Sequence, residues 1–255
     1  MRVLLFSDTH LTGTGTSVAG QNTDDRLKQC LAHAARHVPD PVHTIFAGDL
    51  SDDGARAGYI FLRDALADWA SPVSFLMGNE DDRAVFAEVF PYVSRQPDGR
   101  YYTALRVGTD DVFCLDSLDP QANPIHSGFL GGAQMEWLAA ELEASTARRK
   151  IVVLHHPPAQ LGLPFFDAIG LRDGAALCDL MSRTDVTLCL AGHVHRAVET
   201  RVDGVTVNTL GSTGFGLCLG DSEMDVAPDP DHIPHYAVLR LDKPRITLEQ
   251  VLVAG

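Results

Sequence analysis

The sequence predicts an α/β fold built around parallel strands, and three observations carry that prediction. Short apolar runs rich in β-formers alternate with segments of helical period along the first part of the chain. Each run ends in a polar cluster: SDTH after the first, GDLSDD after the second, GNEDD after the third. Strand, polar loop, helix, strand is the signature of a parallel sheet, which places its chemistry at the carboxyl ends of strands. The 255 residues, 45% hydrophobic and 21% charged, suit one globular domain over residues 1–255 whose variable part is 216–255.

The elements follow in order. Residues 1–7 (MRVLLFS) are an apolar run that reads as a buried strand. From 24 to 38 the helical period brings Leu27, Leu31, Ala34, Ala35 and Val38 onto one face, with Asn22 and Asp24 as capping residues. A strand at 43–47 (HTIFA), a helix around 58–70 and a strand at 73–77 (VSFLM) repeat the unit. Residues 101–107 and 111–115 read as an antiparallel pair turning at Gly108, and 133–147 as an amphipathic helix. Strands at 151–154 (IVVL) and 187–191 (TLCLA) each run directly into histidines. Residues 196–208 read as a hairpin turning at Asp203-Gly204. The stretch 216–235, rich in Asp, Pro and Gly, shows no period and is expected to be an irregular loop serving as a lid or contact surface that shapes substrate choice. Strands at 236–241 and 245–253 close the chain, while Trp69 and Trp137 stand at helical spacing and are expected to pack.

With 20 Lys and Arg against 34 Asp and Glu, the formal charge is −14. That balance disfavours a nucleic acid polymer or an anionic membrane as partner. A small anionic substrate stays compatible with it, because bound cations override the global field locally. The five cysteines contain no C-x-x-C pair, and Cys114 and Cys189 sit inside strand-like runs, so reduced, structural thiols in a cytoplasmic protein are expected. The opening turns polar too soon for a signal peptide, and no apolar run approaches the roughly 20 residues of a membrane span.

Five strand ends carry groups able to bind metal: Asp8 and His10; Asp49; Asn79; His155 and His156; His193 and His195. In extended chain, residues two apart point the same way, so Asp8 and His10 can reach one centre together, as can His193 and His195. Glycines 48, 78 and 192 precede three of these groups, where a chain must turn beside a crowded site. Asp8 or Asp49 alone is equally well a turn former or a helix cap. Five groups, each at the end of its own strand, point jointly to metal.

These residues carry a resemblance. D8-T-H10, G48-D-L, G78-N, H155-H-P-P and G192-H-V-H195 resemble, in order and separation, the motifs of calcineurin-like metallophosphoesterases. SDTHL and HHPP are most similar to the branch of class III cyclic-nucleotide phosphodiesterases and glycerophosphodiesterases, over residues 1 to about 215. The resemblance implies a four-layer αββα sandwich, two mixed sheets flanked by helices, with two metal ions between the strand ends. It gives one ion Asp8, His10, Asp49 and His195, and the other Asp49, Asn79, His155 and His193, with Asp49 bridging. His156 then falls on the other face of its strand and is expected to pack or hydrogen-bond. Imidazole and carboxylate ligands suit Mn, Fe, Co or Zn rather than Ca. The implied chemistry is hydrolysis of a small phosphodiester by a hydroxide bridging the two ions, attacking in line, with Asn79, Glu80 and Asp49 as catalytic positions. Phosphomonoesterase, phosphonate monoesterase or protein phosphatase activity on the same centre are alternatives, as is a metal-binding scaffold without turnover. A homo-oligomer is also implied.

The resemblance departs at Glu80, where relatives place a histidine that contacts the phosphate. Three readings stand: a protonated Glu80 serving as proton donor; an ionised Glu80 gripping a cationic substrate group or an arginine such as Arg83; or drift, with activity reduced. A binuclear centre contributes on its own account, so a working esterase with altered preference is expected. His126 is expected to hydrogen-bond backbone rather than face the cleft, and His232 and His235 to be solvated or in contacts.

Overall fold

Alternation along the first strand divides the interior in two. Val3 and Leu5 point one way and Leu4 and Phe6 the other, all of them buried. The computed structural model describes residues 1–220, 222, 224–242 and 245–254. Its first half runs β1 (Arg2–Phe6), α1 (Thr23–His37), β2 (His43–Ala47), α2 (Arg56–Ala65), β3 (Val73–Leu76), α3 (Arg83–Val89), β4 (Thr103–Val107) and β5 (Asp110–Cys114). Then follow α4 (Gly132–Ala144), β6 (Arg149–Leu154), α5 (Pro164–Ala168), α6 (Gly174–Arg183), β7 (Val186–Ala191), β8 (Glu199–Val202) and β9 (Val205–Thr209). The chain ends in β10 (Gly216–Leu219), β11 (Val226–Asp229), β12 (His235–Arg240) and β13 (Thr247–Leu252).

One sheet has the order β13-β12-β1-β2-β3, the other β4-β5-β6-β7-β9-β8. Strands β1, β2 and β3 are mutually parallel, as are β5, β6, β7 and β9, while the outer strands pair antiparallel. Between the sheets lies a core of Val3, Leu5, Ile45 and Leu76 against Val112, Ile151, Val153 and Leu190. On the outer side of the first sheet, Leu4, Phe6, Phe46 and Phe75 meet Leu27 and Leu31 of α1, Leu62 of α2 and Phe86 of α3. On the outer side of the second, Val152, Leu154 and Cys189 meet Leu138 and Leu142 of α4 and Leu177 and Met181 of α6. Helices, sheet, sheet, helices: four layers, with central strands such as β1, β2, β6 and β7 apolar on both faces because both are covered.

Asn22 caps α1 by accepting from the amide of Asp25, and the hairpin of β8 and β9 turns at Asp203-Gly204. Two expectations change. Trp69 lies beyond α2, which ends at Ala65, and it packs edge-on to Phe6 while donating to Thr44 Oγ1. The stretch 216–235 is not wholly irregular, since β10 and β11 pair there as an antiparallel ribbon. Four-residue strands interrupted by Pro228 are too short to show a period of two. Positions 221 and 223 of that stretch lie outside the described residues. His232 is not solvated: it is buried, with Nε2 donating to Ser212 O at 3.0 Å, and burial pushes its pKa down to about 4. His235 likewise sits within β12. All five cysteines are free thiols. Among the described residues, no helix is long and apolar enough to cross a membrane.

Candidate metal centre

The carboxyl ends of β1, β2, β3, β6 and β7 converge on one edge of the sandwich. Backbone and side-chain bonds lace them together: the Asp8 amide donates to Gly48 O at 3.1 Å, the His193 amide to Asp8 Oδ1 at 2.9 Å, and the Glu80 amide to Asp49 Oδ1 at 2.9 Å. Ligand atoms of Asp8, His10, Asp49 and His195 lie within 4.8 Å of one another, all four buried, and the same holds for His155, His156 and His193. Asp49 Oδ2 stands between the groups, 3.6 Å from His10 Nε2 and 3.2 Å from His155 Nε2.

Convergence is not achieved by strand alternation. Asp8, His10, Asp49, His193 and His195 have φ of 54, 42, 49, 71 and 57°, all in the left-handed region. Each such residue costs about 1–3 kcal/mol and persists only where its surroundings over-determine it. Past β1 and β7 the chain therefore coils, and each left-handed residue swings its side chain into the cleft. His193 and His195, which alternation alone would let reach one centre, separate as the resemblance implies: His195 joins Asp8 and His10, His193 joins His155. Gly78 shows how tight the floor is, since a Cβ there would lie 2.2 Å from Asp49 Oδ1 and 2.8 Å from His155 Cδ2.

Hydrogen bonds outside the cluster orient the rings. His155 Nδ1 donates to Ala47 O at 2.9 Å and His195 Nδ1 to Phe215 O at 2.7 Å, so that Nε2 is the nitrogen each ring turns towards the carboxylates. His195 Nε2 is 3.2 Å from His10 Nε2 and 3.4 Å from Asp8 Oδ1. Asn79 Oδ1, His155 Nε2 and His193 Nε2 are buried side-chain atoms with no hydrogen-bond partner. Buried polar atoms are normally satisfied, and these orphans, with His155 Nε2 3.2 Å from the anionic Asp49 Oδ2, fit a cation. The electrostatics agree in sign. Burial would lower the His155 pKa, but Asp49 and then Asp8 hold it raised, at about 9: the carboxylates draw positive charge into this space. Burial, then the charge of His155, pushes His193 down to about 3, keeping its ring neutral as a ligand must be.

His156 belongs to the cluster by distance yet is engaged elsewhere. Its Nδ1 accepts from Ser117 Oγ at 2.8 Å and its Nε2 donates to His126 O at 3.0 Å. Arg83 is not Glu80's partner: its Nε and a terminal nitrogen grip Asp116 at 2.7 and 2.6 Å. Glu80 Oε1 instead accepts from Asn79 Nδ2 at 2.7 Å and lies 3.2 Å from His126 Nδ1. The His126 ring therefore faces the cleft rather than backbone. Burial, then the Asp49 charge, raises the Glu80 pKa.

Sequence reasoning passed over two residues here. Asp81, fully buried, accepts from the amides of Leu50 (3.0 Å), Ser51 (3.3 Å) and Gly78 (2.9 Å) and from Tyr59 Oη (2.9 Å), tying the loops after β2 and β3 together. Burial and the Asp49 charge push its pKa up to about 7. The run Glu80-Asp81-Asp82 was the available signal, since three acids directly after a buried strand need partners. Phe215, whose ring lies 4.8 Å from that of His10 and 4.4 Å from that of His195, gives no sequence signal at all.

The family model described as calcineurin-like phosphoesterase matches residues 1–197. Over 252 residues the chain is 29% identical to a probable cyclic nucleotide phosphodiesterase of Rhodopseudomonas palustris, covering 98% of this chain and 92% of that protein. It is 32% identical over 218 residues to a cAMP/cGMP dual specificity phosphodiesterase of Mycobacterium tuberculosis, covering 84% of this chain and 67% of the relative. A purple acid phosphatase from yellow lupin (Lupinus luteus) seeds shares the fold, with a TM-score of 0.72 at 15% identity over 99% of this chain and 51% of the other.

Proposed function

The chain belongs to the calcineurin-like phosphoesterase family, and from that premise we propose that it is a metal-dependent phosphodiesterase. Its substrate would be a small phosphodiester, with a cyclic nucleotide or a glycerophosphodiester as first candidates. The relatives named for cyclic nucleotides support this reading over most of the chain. The observation that carries it is the set of orphaned buried atoms, Asn79 Oδ1, His155 Nε2 and His193 Nε2, set against a second group that shares Asp49. Asp8, His10, Asp49 and His195 would hold one divalent ion, and Asp49, Asn79, His155 and His193 the other. The donor set of imidazoles and carboxylates favours Mn, Fe, Co or Zn. When bound, such ions supply an activated water near neutral pH and offset the charge of the phosphoryl group.

The chain's own residues do the rest. Ala47 O and Phe215 O fix two imidazole tautomers, so the ligand nitrogens need no rearrangement on loading. Asn79 contributes a neutral oxygen while its amide nitrogen is committed to Glu80, which fixes which end of the amide faces the cleft. Asp81 holds the backbone carrying Asp49 and Asn79 in register. The direct test is hydrolysis of bis(p-nitrophenyl) phosphate and of 3′,5′-cyclic AMP by metal-stripped protein with and without Mn²⁺. Turnover is expected to return with Mn²⁺ and to fall at least about 100-fold in Asp49→Ala and Asn79→Ala. A protein that binds Mn²⁺ but hydrolyses neither ester, and gains activity as Glu80→His, would be a lapsed scaffold instead.

A further inference from the structure

Glu80 occupies the place where the resemblance puts a histidine, and a histidine reaches the same spot from elsewhere. His126 lies in the loop between β5 and α4, after a strand of the second sheet, whereas Glu80 follows β3 of the first. Its Nδ1 is 3.2 Å from Glu80 Oε1 and 3.2 Å from Asn79 Nδ2, while Asn79 Nδ2 donates to the same Glu80 oxygen at 2.7 Å. The three groups close a triangle at the edge of the metal centre.

The loop that carries His126 is held in place. His156, both of whose ring nitrogens are occupied, donates to His126 O, and its ring is pressed so close to Gly128 that a Cβ there would lie 2.4 Å from it. The Gly128 and Phe129 amides donate to Gly170 O and Ser117 O at 3.1 and 3.0 Å. His126 itself is left-handed, at φ 68°, a conformation that such anchoring must impose. With Nδ1 committed to the triangle, Nε2 is the ring atom without a partner among the described residues. A ring that accepts from Asn79 Nδ2 through Nδ1 carries its proton on Nε2.

Resting on the phosphodiesterase reading, we propose that His126 is the substrate-contacting histidine of this site. It donates a hydrogen bond from Nε2 to the ester oxygen that leaves, and Glu80 is the positioning residue, because it holds Asn79 Nδ2 as the donor to His126 Nδ1. The exchange also answers the charge problem at Glu80, because the carboxylate faces an imidazole and an amide rather than the anionic substrate.

The test uses Mn²⁺-loaded protein and two substrates that differ in leaving group. An alkoxide, as from cyclic AMP, needs the hydrogen bond, whereas p-nitrophenolate departs without help. His126→Ala is expected to lose about 100-fold on cyclic AMP and far less on bis(p-nitrophenyl) phosphate. Glu80→Ala should show the same leaving-group bias, Glu80→Gln should keep most activity, and the double variant should be no worse than His126→Ala alone. Calorimetry of inorganic phosphate binding gives a readout independent of turnover, and about tenfold weaker binding is expected for His126→Ala with Mn²⁺ content unchanged. Equal losses on both esters, unchanged phosphate affinity, or lost Mn²⁺ in His126→Ala would overturn the contact. If wild type hydrolyses neither ester yet His126→Ala still weakens phosphate binding, the phosphodiesterase reading fails and the contact stands. If wild type binds no phosphate, both fall.

Discussion

Removing a single oxygen atom, in Tyr59→Phe, tests whether the Asp81 cluster holds the loops that carry the metal-facing residues. Tyr59 is fully buried on α2, and its hydroxyl donates to Asp81 Oδ1 at 2.9 Å while accepting from the Asp82 amide at 2.8 Å. The phenylalanine keeps the ring and its edge contact with Phe86 at 5.5 Å, so no sizeable cavity opens. A hydrogen bond to a carboxylate contributes about 1.5–3 kcal/mol, and an orphaned buried amide costs about 1–3 kcal/mol. Asp81 retains the amides of Leu50, Ser51 and Gly78, which favours the lower part of that sum. The expected loss is therefore about 2.5–4 kcal/mol, or about 5–16 °C in Tm for a chain of this size. Urea unfolding of the metal-free protein, followed by the fluorescence of Trp69 and Trp137, measures it. Because Asp81 orients the backbone of Asp49 and Asn79, Mn²⁺ affinity should also fall about 10–100-fold. A midpoint unchanged from wild type would refute the hydrogen-bond argument. A shifted midpoint with unchanged Mn²⁺ affinity would refute the link from Asp81 to the centre.

Three further outcomes are expected. Gly78→Ala places a Cβ 2.2 Å from Asp49 Oδ1 and 2.5 Å from its amide nitrogen, so overpacking should cost about 1–3 kcal/mol and weaken Mn²⁺ binding; wild-type melting and affinity together would contradict it. Stripping the metal should lower the melting temperature, and Mn²⁺ at 100 times Kd should restore about 2.7 kcal/mol per site, whereas a melt indifferent to Mn²⁺ would remove the case for a centre. The buried, neutral His232, with its pKa pushed to about 4, binds its proton less readily than in the unfolded chain, where the value is near 6.5. Below about 6.5 the unfolded state takes up the proton first, so stability falls as pH drops from about 6.5 towards 4; His232→Gln should flatten that part of the profile in urea titrations at pH 7 and pH 5, and an unaltered slope would exclude His232 as its source.

The fold was legible where burial is two-sided and period is long. Leu4 to Phe6, Ile45 to Ala47 and Val152 to Leu154 are continuous apolar runs because helices cover one face and the other sheet the second, and parallel strands buried that way betray themselves. The ribbon of β10 and β11 did not, being two four-residue strands with a proline in one of them. Nor did α6, whose ten residues supply the crossover from β6 to β7. The residues of the two clusters could be picked out because metal-ligand chemistry restricts residue type. Alternation by itself did not give their grouping: it lets residues two apart reach one centre, while the left-handed residues at 193 and 195 lie in different groups, the split that the resemblance implies.

Glu80 shows where a departure in sequence cannot be weighed in sequence. Taken alone, a carboxylate for an imidazole beside an anionic substrate reverses the local charge and argues for a lapsed site. Its meaning depends on what stands within hydrogen-bond distance, and that group is His126, 47 residues beyond the Asn79 it touches and in a loop of the opposite sheet. Neither residue announces the other: an acid after a buried strand and a histidine in an aperiodic loop are each ordinary. Only the two-sheet topology, which brings the end of β3 and the loop after β5 to one cleft, makes them a pair. The same topology limits what the pair can be. Glu80 Oε1 already accepts from Asn79 Nδ2, so any movement of His126 is felt at the amide whose oxygen is buried without a partner. Substrate contact and the Asn79 amide therefore meet at one carboxylate oxygen, which an amide oxygen in Glu80→Gln can replace as acceptor.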